Sequence, residues 1–265
     1  FLHGFPDAAT SMVPLLKRAA ANGYSAVAPF MRGYGETSDP EHGNYFVSDM
    51  ARDCVEIIEA LDAGEVTIVG HDWGAVAGYA AANRSPGRFS KLVSMSVPPM
   101  RVFLRNLIRI PRQFLQSWYM FFFQLPFLPE IVLKRNDFQF VETIWSQWNP
   151  DWDYPRDHLE SVKEVFRSDG TPEAALSYYR ALMRGILTDF RRHRKSRKLS
   201  FQKIGIPTLV MTGGEDRCVL PETFEGLERG FQGPYFFHRV GSAGHFPHLE
   251  STGEVIDRIL TFLEE

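Results

Sequence analysis

Two periods of apolar and polar residues alternate along this chain. Short apolar runs at residues 25–28, 66–69, 92–97, 208–211 and 235–240 carry Val, Ile, Leu, Met or Phe, and most lie close to Gly or Pro. Runs of that kind predict strands, the central ones buried on both faces. Between them the period lengthens. Val47, Met50, Cys54, Ile57, Ile58 and Leu61 share one helical face and predict a helix over 47–61. Further helices are predicted over 13–21, 75–83 and 254–263. Strands alternating with helices predict an α/β fold with a mostly parallel sheet flanked by helices. From Pro98 to about Gly205 the alternation stops. That stretch is aromatic and helical in character, and Pro111, Pro126, Pro129, Pro150 and Pro155 interrupt it. It predicts a helical cap over 99–205, inserted between core segments 1–98 and 206–265. Such a cap belongs over the carboxyl ends of the strands, where α/β sheets bind ligands.

Composition narrows the classes. A chain of 265 residues, 44% hydrophobic, is long enough for one large core and an inserted subdomain. Its net charge of −3 argues against a nucleic-acid partner. The basic run from Arg191 to Lys198 reads as a solvated stretch returning from the cap to the core. Two cysteines, Cys54 and Cys218, make no disulfide framework, and a reducing, cytoplasmic setting is expected. No apolar run reaches the ~18 residues of a membrane span. No Cys–His spacing suggests a structural metal and no phosphate loop is present, so no cofactor or metal is expected. The chain opens at Phe1-Leu2 as if inside a strand, which leaves a leader segment open.

The chemistry concentrates at Gly70-His71-Asp72-Trp73-Gly74, between the 66–69 run and the Ala-rich helix after it. Strand, glycine-flanked residue and helix make the context of a nucleophile elbow. The usual Ser is replaced by Asp72. A carboxylate is ionised at neutral pH and needs no base before it attacks. Its product is an alkyl ester, so the target is an sp³ carbon bearing a leaving group. Hydrolysing that ester needs a base and a group to orient it. The chain order nucleophile, acid, histidine selects Asp216, just past the 208–211 run, and His245, just past the 235–240 run. Glu215 competes with Asp216. His3, His71 and His248 also lie near the predicted site, with His71 turned away from the nucleophile and His248 behind it or at the surface. Backbone N–H groups of Trp73 and Phe5 are placed to receive the oxyanion, with Pro6 shaping the turn that aims Phe5.

His3-Gly4-Phe5-Pro6, Arg32-Gly33-Tyr34-Gly35, Gly70-His71-Asp72-Trp73-Gly74 and Gly244-His245-Phe246 together resemble the α/β-hydrolase superfamily. The Asp at the elbow resembles its epoxide hydrolase and haloalkane dehalogenase branches. The resemblance covers residues 1–98 and 206–265, and it implies that the family's two N-terminal strands are missing here. The epoxide hydrolases carry two cap tyrosines. Tyr119, ahead of Phe123-Gln124-Leu125-Pro126, and Tyr179, in Tyr178-Tyr179-Arg180, match them in order and local spacing. A phenol supplies the proton that a leaving alkoxide needs; Tyr178 is read as a packing residue. The resemblance implies an epoxide hydrolase acting on a small apolar epoxide with water as co-substrate, and the many Phe residues of the cap favour aryl or alkyl groups. A haloalkane or haloacetate dehalogenase, with Trp73 as halide clamp, is the alternative. A non-catalytic binding protein on the same fold is a third reading, set against the complete catalytic set.

Overall fold

A computed structural model describes residues 1–38, 40, 43–187 and 191–265. Four strands, β1 (Val66–His71), β2 (Phe89–Met95), β3 (Thr208–Gly213) and β4 (Tyr235–Val240), form one sheet in the order β1-β2-β3-β4. All three pairings are parallel. Leu2 adds one parallel bridge to Gly70 on the outer side of β1. Its N–H donates to the Val69 carbonyl at 2.8 Å, and its carbonyl accepts from His71 N at 2.9 Å.

The segment 25–28 does not form the strand that its apolar run predicts. Its pairing to the start of the chain is a bond from the Phe1 amino group to the Val27 carbonyl, and Val27 is half exposed. Apolar content alone does not make a strand; it needs a neighbour for its backbone groups.

Helices α1 (Val13–Ala21), α2 (Val47–Ala60) and α3 (Trp73–Arg84) belong to the first half of the core. Helix α2 packs on α3 and buries Val47, Met50, Cys54 and Ile58 of the predicted face, while Ile57 is half-buried and Leu61, past the helix end, is exposed. Between β2 and β3 the described residues form helices joined by short loops, with one isolated bridge from Ile204 to Phe231. This stretch holds α4 (Met100–Arg109), α5 (Pro111–Gln116), α6 (Trp118–Phe122), α7 (Leu128–Trp148), α8 (Arg156–Arg167), α9 (Thr171–Leu187) and α10 (Arg191–Phe201). Helix α7 kinks at residues 135–138, where Asn136, Asp137 and Phe138 take positive φ. The basic run predicted as a solvated stretch is helical. Arg194, Lys195, Arg197 and Lys198 face outward, while His193, Ser196 and Leu199 are buried at three-residue spacing. Helices α11 (Pro247–Glu250) and α12 (Thr252–Glu264) close the chain. No helix among the described residues is long and apolar enough to cross a membrane.

Candidate active site

The site is built around a turn that only a few residue types allow. Asp72 sits between β1 and α3 with φ 50° and ψ −113°. A non-glycine residue at positive φ is costly and persists where its surroundings over-determine it. Here the backbone leaves no room for relaxation. A Cβ on Gly70 would overlap the Gly74 carbonyl, and one on Gly74 would overlap the Leu2 carbonyl. Asp72 N donates to the Met95 carbonyl at 3.1 Å, and Asp72 O accepts from Val76 N at 3.1 Å. The turn is thereby tied to β2 and to the first turn of α3.

Phe5 N donates to Asp72 Oδ1 at 2.8 Å. Trp73 is the first residue of α3, so its N–H has no partner inside the helix. Of the two predicted donors, Phe5 N therefore touches the carboxylate directly.

His245 and Asp216 converge on Asp72 from the ends of β4 and β3. His245 Nδ1 lies 2.9 Å from Asp216 Oδ2, and His245 Nε2 lies 3.8 Å from Asp72 Oδ2. Nε2 has no hydrogen-bond partner. Asp216 Oδ1 accepts from Cys218 N at 2.7 Å and Val219 N at 2.9 Å, which holds the carboxylate still. Asp216 is buried, whereas Glu215 is exposed, which decides between the two acids. Burial alone would lower the His245 pKa. The Asp216 carboxylate outweighs it, and the imidazole is held well above its ordinary value.

Tyr119 and Tyr179 come from α6 and α9, and their rings meet at 5.6 Å. Tyr179 also packs edge-on against Phe5 at 5.4 Å and Trp73 at 5.0 Å. Its hydroxyl is buried and has no hydrogen-bond partner. The Tyr119 hydroxyl lies 3.4 Å from Cys218 Sγ. Burial pushes both phenols well above their ordinary pKa, and the Asp72 charge pushes in the same direction. Both stay protonated across the neutral range. Tyr178, the neighbour read as packing, donates instead to the Arg32 carbonyl at 2.9 Å.

Other residues at the site carry no motif. Trp148 stacks edge-on against His245 at 4.8 Å and packs against Tyr119 at 5.2 Å. The Asn149 side-chain carbonyl accepts from His245 N. Ser96 Oγ donates to the His245 carbonyl at 2.7 Å. Only the glycine-free end of α7 could have pointed to Trp148 and Asn149, and that is no signal.

Behind the elbow lies a buried polar cluster. His71 Nε2 donates to the His245 carbonyl at 2.8 Å, so the ring does turn away from the nucleophile. Asp7 Oδ2 lies 3.3 Å from His248 Nε2 and 3.9 Å from His71 Nδ1. These three donor atoms lie within 4.8 Å of one another and form the one potential metal-ligand group among the described residues. Burial opposes ionisation of Asp7, but the His248 bond and the Ser11 hydroxyl outweigh it and hold its pKa down. His3 Nε2 accepts from Met31 N at 3.0 Å, a structural brace. A cavity of about 590 Å³ lies elsewhere, lined by Pro29, Met31 and Arg32 and by Asp53 and Ile57 of α2, away from the convergent groups.

The family model for the alpha/beta hydrolase fold matches residues 1–252, and the chain belongs to that family. Two relatives are each 27% identical to it. One is the AB hydrolase superfamily protein YfhM of Bacillus subtilis, matched over 99% of this chain and 88% of that protein. The other is human epoxide hydrolase 4, matched over 100% and 71%. Among solved structures, an epoxide hydrolase of Bacillus megaterium in complex with an inhibitor superposes with a TM-score of 0.84. It is 26% identical, and the match covers 100% of this chain and 92% of that one.

Proposed function

We propose that the chain is an epoxide hydrolase that opens an apolar aryl or alkyl epoxide to a vicinal diol through an ester on Asp72. The observation that carries this reading is the pair of buried phenols, held protonated, beside an elbow carboxylate. The names of the relatives support the same reaction.

One Asp72 carboxylate oxygen attacks an epoxide carbon. The carbon–oxygen bond breaks, and the departing alkoxide takes its proton from Tyr119 or Tyr179. The hydroxyalkyl ester is then attacked at the Asp72 carbonyl carbon by water, whose proton passes to His245 Nε2. Phe5 N and Trp73 N hold the oxyanion. Collapse expels the diol oxygen, which takes the proton from His245; the proton left on the Asp72 carboxyl returns to the phenolate and closes the cycle. Asp216 fixes the imidazole tautomer and stabilises its charged form. Segment 99–205 serves as a cap that brings the tyrosines onto a core made by 1–98 and 206–265, and its aromatic rings set the apolar preference.

The test compares an aryl epoxide with a bromoalkane, following diol and bromide. Diol should form, and Asp72→Ala should abolish it. His245→Gln should open the epoxide yet fail to release the diol, leaving a mass gain of one substrate on the Asp72 peptide. Bromide release without diol moves the reading to a dehalogenase. Absence of both adduct and lost turnover in His245→Gln removes His245 as the base.

A further inference from the structure

A buried carboxylate is paired with a cation or coordinates a metal ion. Asp7 is fully buried. Among the described residues its ion-pair partners are two histidines, His71 and His248, both fully buried as well, and no Lys or Arg pairs with it.

The tautomer of His71 shows what this arrangement lacks. A carbonyl only accepts, so the bond to the His245 carbonyl at 2.8 Å puts the ring hydrogen of His71 on Nε2. In the neutral ring Nδ1 is then a bare lone pair. It has no hydrogen-bond partner, and it faces Asp7 Oδ2 at 3.9 Å. A second hydrogen, on Nδ1, would not close that gap, because 3.9 Å is too long for a hydrogen bond. Two acceptors facing each other in a dry interior call for a cation between them. The spacings suit one. Asp7 Oδ2 lies 3.3 Å from His248 Nε2 and 3.9 Å from His71 Nδ1. Ligands held at about 2.1 Å by a single ion stand roughly 3–4 Å apart.

The outer bonds fit as well. Metal-bound histidines usually give their other N–H to a carbonyl or a carboxylate, as His71 does. The second oxygen of Asp7, Oδ1, accepts from Ala8 N at 2.8 Å and from the Ser11 hydroxyl, which leaves Oδ2 to the rings. Ser11 Oγ in turn meets His158 Nε2 at 2.9 Å, and half-buried His158 is on the side where the cluster approaches solvent. Two imidazoles and one carboxylate are a donor set for Zn²⁺, whereas Mg²⁺ and Ca²⁺ take oxygen ligands.

We infer that Asp7, His71 and His248 bind one divalent transition-metal ion, with Zn²⁺ the best match, behind the elbow. The ligands stand at positions 7, 71 and 248, so no spacing along the chain announces them. Each lies within three residues of a group in the candidate site: Phe5, Asp72 and His245. The ion clamps these three segments together and does not touch the substrate. The inference rests on donor geometry, and it stands whether or not the chain hydrolyses epoxides.

Titration of the intact chain with Zn²⁺ and Co²⁺, after treatment with a chelator and dialysis, tests it. About one equivalent of Zn²⁺ should bind, raise the melting temperature and come off again with chelator. Mg²⁺ should do neither. Co²⁺ should compete for the same site and give the visible absorption of a four-coordinate nitrogen and oxygen site, without the near-ultraviolet band of a cobalt–thiolate bond. His248→Gln should lower Zn²⁺ affinity by at least about tenfold. His238→Gln, at a histidine paired with Glu254 outside the cluster, should leave it unchanged. Failure of the unchanged chain to bind Zn²⁺ and Co²⁺ overturns the inference, as does equal affinity in His248→Gln. A thiolate band also overturns it, by placing the ion at Cys218, which contacts His245. Loss of binding in His238→Gln alone assigns the zinc to that outer pair instead. The titrations of the unchanged chain decide the matter even if a variant misfolds.

Discussion

His245 stands between two carboxylates, and only one of them persists through the proposed cycle. Asp216 stays at 2.9 Å from Nδ1; Asp72 lies 3.8 Å from Nε2 until it becomes an ester. In the free protein, burial pulls the imidazole pKa down, while Asp216 first, then Cys218 and last Asp72 lift it well above its ordinary value. Below that raised value the ring is charged and cannot accept a proton. Esterification removes the Asp72 contribution, so the imidazole pKa is lower in the ester than in the free protein. In single-turnover experiments the ester-hydrolysis rate should therefore rise with pH through the ester-state pKa. Ester formation, which needs protonated phenols and no free imidazole, should not share that rise. One shared pH profile for both steps would rule out this division of labour. Linkage gives the sign for stability. With its folded pKa above the unfolded one, His245 contributes stability that is full below about 6.5 and is lost as pH rises through the folded value.

At the scale of the element, the turn between β1 and α3 depends on backbone contact that no side chain can share. Gly70 and Gly74 let strand, helix and the Leu2 bridge touch. Gly70→Ala must push Gly74 away and disturb the φ of Asp72 with it. Overpacking of this kind costs about 1–3 kcal/mol, and turnover should fall further than stability does because the carboxylate is re-aimed. Gly87, where an added Cβ meets nothing within 4 Å, is the control; Gly87→Ala should change stability by less than about 0.5 kcal/mol. Urea titrations of both variants check the pair. Equal midpoints for the two would show that the close approach carries no strain.

On the scale of the whole molecule, the core supplies the carboxylates and the imidazole, and the segment between β2 and β3 supplies the phenols. Packing and chemistry are divided between adjacent residues of α9. Tyr178 ties this helix to the Arg32 carbonyl, while Tyr179 turns to the site. Tyr178→Phe should lower stability by about 1 kcal/mol and leave kcat close to unchanged. Tyr119→Phe/Tyr179→Phe should do the reverse. It removes only hydroxyls, so the fold survives, yet epoxide opening should drop by more than the roughly 10²- to 10⁴-fold expected for one general acid. A bromide leaves as a stable anion and needs no proton, so any dehalogenation should persist in the double variant. Full epoxide turnover in that variant, with an unchanged melting curve, would take the acid role from the tyrosines.

The α/β alternation, the glycine-flanked elbow at Asp72 and the order Asp72, Asp216, His245 were legible from the chain alone. Each is a local signal: glycines mark where backbones must touch, and ligand-binding residues of a parallel sheet follow its strands. Tyr178, expected to pack, does so against Tyr34 and Tyr45, and its hydroxyl also donates to the Arg32 carbonyl. Tertiary structure decided what local pattern cannot. It chose Asp216 over Glu215 by burying one and exposing the other. It left the 25–28 run without a ladder. It placed Asn149 against His245 N across 96 residues, and Asp7 beside His248 across 241. Helical period also puts Leu61 on the buried face of the 47–61 helix, and the structure leaves it exposed. A period reports that a helix has two faces; which face is covered depends on what the rest of the chain brings against it.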